Sequence, residues 1–157
     1  MARRTVADIE KIWSNVEGIK KLSDRAVGIG PFGIGLDGLL TWIPVVGTAY
    51  SVGAAGWLLL QATKAKASPS TIGRMLAYLG LDSATTAVGE VIPFAPDVVD
   101  LFFPGHLMAA KALQKDIETT HWVESSEREA RDSGEHESHL AQMKSDPKLR
   151  RIVYLHD

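Results

Sequence analysis

Between residues 26 and 110 the chain carries only five acids: Asp37, Asp82, Glu90, Asp97 and Asp100. All are set among long apolar stretches. A carboxylate inside an apolar segment is expensive, and in a membrane it often marks an ion or proton path. Asp97 and Asp100 lie three apart and share a helical face, which suits them to bind a cation or carry protons. Each also has a structural role open to it. Asp97 can cap a helix, and Asp37 can cap one or pair with Arg74. Asp37, Asp82, Asp97 and Asp100 are therefore the candidate ion site, with structural duty as the expected alternative.

Other chemistries find less support. With no cysteine, disulfides, thiolate metal sites and cysteine nucleophiles are excluded. His136 and His139, beside Glu135 and Glu137, have the donor types for a divalent ion. The His-Glu-x-x-His spacing is missing, though, and no metal or cofactor is expected. Gly28-Ile29-Gly30-Pro31-Phe32-Gly33-Ile34-Gly35 has the glycine content of a phosphate loop. It lacks the Lys-Ser/Thr step and a preceding strand, so it reads as a flexible entry loop. No Gly-x-Ser-x-Gly elbow is present. No enzyme is expected. Seventeen basic against nineteen acidic residues leave a net charge of −2, which gives no footprint for nucleic acid.

The elements that would position the acids are helical. Val6, Ile9, Ile12, Trp13, Val16, Ile19 and Leu22 recur at helical spacing and predict an amphipathic helix over 5–25. It would lie at a membrane interface, with Trp13 at the headgroups, or pack on a core. No apolar run follows Met1-Ala2-Arg3-Arg4, so a cleaved signal peptide is not expected. Residues 38–63 carry no charge. Pro44 and Gly47 should interrupt this stretch, leaving arms too short to span a bilayer. Within the second arm Ala49, Gly53 and Gly56 share a face on which another helix could pack closely. Lys64 and Lys66 close the arm, and Ser68-Pro69 caps and opens the next helix. That helix should run to Val91-Ile92 and break at Pro93 and Pro96. A further helix ends near Glu118. Beyond it the chain is rich in Glu, Arg, Ser and His. It reads as a solvated or partly disordered tail, with a last element at Leu149–Leu155.

Two segments mirror each other, Gly35 to Thr48 and Thr86 to Asp100. Each runs from a small-residue helix through Ile-Pro and two apolar residues to a second breaker and a polar residue. Such repeats usually stack. These residues resemble the uncharacterised family catalogued as domain of unknown function 4112. Its pattern places two Gly-x-Ile-Pro-x-x-Gly-Asp units around an Arg-Met stretch. Here Asp37, Ile43-Pro44 and Gly47 match the first unit, Arg74-Met75 the linker, and Ile92-Pro93, Asp97 and Asp100 the second. Thr41, Thr48, Asp82, Thr86, Glu90 and Pro96 depart from it. The resemblance covers about residues 22–115. It implies a small, membrane-associated protein, with no activity or cofactor attached.

The expected protein is thus all-α and membrane-associated. An amphipathic helix (1–25) precedes a domain of two Pro-broken hairpins (26–118), and a charged tail (119–157) follows. Lys64, Lys66 and Arg74 make the intervening loop positive. With the basic N-terminus, this places both on the cytoplasmic side of a bacterial-type inner membrane. Pro44–Gly47 and Pro93–Pro96 then become the tips of re-entrant hairpins. The expected role is a structural or accessory subunit packed against lipid and another membrane protein, or a second copy of itself. The alternatives are an ion- or solute-conducting oligomer and a soluble helical domain that binds a ligand.

Overall fold

The computed structural model describes residues 3–27, 44–89 and 105–157. Among these residues there are six helices and two short strands. The helices are α1 (Val6–Val27), α2 (Pro44–Lys64), α3 (Pro69–Gly89), α4 (Gly105–Glu118), α5 (Glu127–Ser133) and α6 (Glu135–Ser145). The strands are β1 (Thr120–Val123) and β2 (Arg151–Tyr154).

Helix α4 is the centre of the arrangement, since α1, α2 and α3 all pack on it. The helical period explains why. Ile9, Ile12 and Val16 form one buried stripe on α1 and meet Ala109, Ala110, Leu113 and Ile117 of α4 in a single core. Leu58 and Ala62 of α2 and Met75 and Leu79 of α3 complete it. Trp13 packs against this core, and its indole N–H donates to Glu118 at 2.9 Å. Of the two roles open to α1, packing on a core is the one seen.

Local capping follows the residue types. Thr5 and Asp8 exchange hydrogen bonds across the start of α1, Thr5 N–H donating to Asp8 and Asp8 N–H to the Thr5 hydroxyl. Helix α2 ends in a Schellman turn: Ala67 N–H donates to Ala62 O at 2.9 Å and Lys66 N–H to Thr63 O at 3.1 Å. Lys66 holds the left-handed position, φ 46°, that glycine usually takes. Ser68 then caps α3, and Pro69 opens it, as the sequence leads one to expect.

Two expectations are corrected. Gly47 does not break the chain; α2 runs unbroken for 21 residues from Pro44. Proline costs nothing at a first helical position because its missing N–H would have no partner there, and the helix simply carries Gly47 in its opening turn. The charged segment after residue 118 is a folded unit instead of a solvated tail. β1 and β2 pair in parallel, with Thr120 opposite Arg151 and Val123 opposite Tyr154. Helices α5 and α6 supply the crossover that parallel strands require. Val123, Ala130 and Tyr154 form a small second core, and β2 falls within the element expected at 149–155.

Helix α2 is about 31 Å long at 1.5 Å per residue. Its Gly, Ser and Thr content dilutes its apolar character, however. Among the described residues no helix is both long and apolar enough to cross a membrane.

Candidate functional site

The most completely built polar centre sits where α3, α4 and β2 converge. Asp116, on the last turn of α4, is buried. Its Oδ1 accepts from the Ser68 hydroxyl at 2.8 Å and the Thr71 hydroxyl at 3.0 Å. Its Oδ2 accepts from Ser68 N–H at 3.0 Å and Arg151 Nη2 at 2.7 Å. Four donors fill the four lone-pair positions of the carboxylate.

Arg151 spends its fork with equal economy. Nε donates to the Thr120 hydroxyl at 2.8 Å, and Nη1 to Lys66 O at 3.0 Å. The Thr120 hydroxyl in turn donates to Asp116 O at 2.6 Å. The guanidinium lies 5.9 Å from the Trp122 ring centroid, a cation–π position. Burial pulls the Arg151 guanidinium below its ordinary value and Asp116 opposes that pull; the group stays protonated regardless. A carboxylate with no spare lone pair and an arginine with its fork engaged offer nothing to a substrate. This centre is a clamp that joins the α2–α3 turn, α4 and β2. Lys66 extends it, since its ammonium donates to Tyr154 O at 2.9 Å and Asp157 O at 3.0 Å.

His136 and His139 each have a different partner. His136 is buried, and its Nδ1 lies 2.7 Å from the Tyr154 hydroxyl. His139 faces β1 instead, its Nδ1 3.2 Å from His121 Nε2. The two do not converge on one point, because β1 and β2 each draw a different ring. No cluster of three or more metal-ligating side chains occurs among the described residues.

The candidate acids are mostly out of view. Asp37, Asp97 and Asp100, with Pro93 and Pro96, lie outside the described residues, as do most of the two mirrored segments. Asp82 lies on α3, but its side chain is also outside the description. Pro44 and Gly47 are the opening turn of α2, and Ala49 follows them on that helix. Gly53 and Gly56 are exposed, and a methyl group added at either would meet nothing within 4 Å. The close helix contact expected at this face is not made among the described residues. Gly73 and Gly80 on α3 are open in the same way. Around them stand large apolar side chains: Val52 is 66% exposed, Leu60 49%, Leu76 52% and Leu81 60%.

The clamp was missed because its parts are remote in sequence and ordinary in type. Asp116 and Arg151 are 35 residues apart, and an Asp and an Arg in a charged region carry no signal of pairing. Of its parts, the Ser68-Pro69 cap alone carries a local sequence signal.

Comparison with known proteins adds one finding. No curated protein and no solved structure matches the chain significantly. Residues 12–117 match the family model described as a domain of unknown function, DUF4112. The match takes in α1 from Ile12, the α2–α3 hairpin and α4 up to Ile117, so it includes Asp116 and stops before Arg151. Spanning well over half of the chain, it establishes that this protein belongs to the DUF4112 family.

Proposed function

We propose that the protein is a membrane-associated structural or accessory component. Its α2–α3 hairpin, with the apolar stretches that flank it, seats in the bilayer against another membrane protein or a second copy of the chain. The observation that carries this reading is the outward face of that hairpin. Val52, Leu60, Leu76 and Leu81 are about half or more exposed, and α2 is free of charge from Pro44 to Thr63. Each Å² of apolar surface withdrawn from water is worth roughly 25 cal/mol, so the face gains by being covered. The bare glycines beside it cost roughly 1 kcal/mol each in an isolated helix relative to alanine. Close approach of another helix recovers that cost in a membrane, where small residues mediate packing. The proposed seat is a shared one, with lipid on one side and protein on the other.

The test is fractionation. Cells expressing the tagged chain are lysed, and their membranes are washed with alkaline carbonate. The expected result is retention until detergent is added, followed by co-purification of a membrane protein or a second copy. A chain that washes off and sediments as a monomer overturns the proposal.

A further inference from the structure

A second surface is built from charge, and it is independent of the apolar hairpin. Helix α1, helix α4 and the segment leading into β2 enclose an open groove of about 560 Å³. Lys20, Lys111, Lys115, Lys148 and Arg150 line it, and Glu118 is its single acid. In a chain with a net charge of −2 this is a local inversion of sign. Glu118, whose carboxylate also accepts from the Trp13 indole, offsets one of these five positive charges and leaves the lining basic. Lys20 is held in place, its ammonium donating to Glu17 at 2.7 Å and to the buried Gln114 amide oxygen at 3.3 Å. Among the described residues the side chains of Lys111, Lys115, Lys148 and Arg150 have no ion-pair partner.

This crowding is costly without an occupant. Lys111 and Lys115 are one helical turn apart, and like charges at that spacing repel. Lys148 and Arg150 are brought to them from the far end of the chain by a specific contact. Arg150 N–H donates to Thr119 O at 2.8 Å, next to the β1–β2 pairing. The groove's volume falls in the usual range for small-ligand sites. Several cations on three elements around one opening can bind different oxygens of one anion.

We infer that this groove binds a phosphate-bearing anion, held by Lys111, Lys115, Lys148 and Arg150 with Lys20 at its wall. The phosphate belongs either to a soluble compound or to an acidic lipid headgroup, and the chemistry of recognition is the same.

The experiment uses the purified full chain at low ionic strength. In one arm, pyrophosphate is titrated and binding is followed by calorimetry. In the other, the chain is mixed with phosphatidylcholine vesicles with and without phosphatidic acid. Saturable pyrophosphate binding with no preference for the acidic vesicles supports the site and assigns it to a soluble phosphate. Preferential recruitment to the acidic vesicles supports it and assigns it to lipid. In either case the double variant Lys111→Gln/Lys148→Gln should weaken binding roughly tenfold or more, the loss of at least one charge-assisted contact. Both side chains are exposed, and removing them relieves like-charge repulsion, so a melting temperature equal to or slightly above that of the parent chain is expected. Lys144→Gln, on the exposed face of α6, should leave binding unchanged. No saturable binding in either arm overturns the inference. So does an equal loss in Lys144→Gln, which would show a response to overall charge alone.

Discussion

At the scale of single residues, the clamp makes the sharpest prediction. Asp116→Asn keeps the shape of the side chain but removes the charge that faces Arg151, and it places an amide N–H₂ among donors. Breaking a buried ion pair from one side costs roughly 3 kcal/mol. Urea denaturation should show a loss of that order, and Arg151→Lys should lose nearly as much. A lysine cannot reach Asp116, Thr120 and the Lys66 carbonyl at once. The histidine pair predicts a pH dependence. Burial, then the neighbouring His139, hold His121 below its ordinary value of 6.5. The folded protein thus keeps this ring neutral at a pH where the unfolded chain already protonates it. Stability is full above about 6.5 and declines as the pH falls through the lowered folded value. Melting curves across this range should show the decline, and His121→Gln should flatten it.

At the scale of elements, the termini decide more than the interiors do. Ser68 caps α3 through Thr71 N–H and also donates to Asp116. Ser68→Ala therefore removes a cap and a charge-assisted hydrogen bond together, and a loss of roughly 2 kcal/mol is expected in chemical denaturation. Gly134 separates α5 from α6 with φ at 79°, in the left-handed region. Gly134→Ala should cost about 1 kcal/mol although the added methyl meets no neighbour. The exposed glycines of the hairpin behave in the opposite sense. Gly53→Ala and Gly80→Ala should stabilise the isolated chain by up to about 1 kcal/mol each. On the proposed membrane role, Gly53→Leu should instead abolish partner capture from detergent extracts while leaving the isolated fold intact.

At the scale of the whole molecule, the family domain and the folding unit do not coincide. The family match ends at residue 117, while the charge that satisfies Asp116 arrives from residue 151. Leu155, too, is buried in the main core. A chain cut after Glu118 leaves Asp116 without its counter-ion and Lys66 without the Tyr154 and Asp157 carbonyls. Its melting temperature should fall by roughly 10 °C relative to the full chain, the shift that about 3 kcal/mol produces at this size. A truncated chain that melts with the full one would show that the last 39 residues fold independently of the rest.

What the sequence determined by itself is the set of features encoded within one or two turns of chain. The apolar stripe Ile9–Ile12–Val16, the Ser68-Pro69 start, the Lys64 end and the close of α4 near Glu118 all rest on local period and capping, and all are found. Gly47 does not act as a breaker because the proline ahead of it opens the helix. The strands were hidden because four residues are too few to establish a period of two. Their pairing joins positions 31 apart, so only the folded chain can set the register. The same holds for the polar centre and the groove. Neither Asp116 nor Lys111 differs by type from any other surface-class residue. Tertiary structure alone decides that one acquires four donors in a buried site while the other is left facing like charges around an open one.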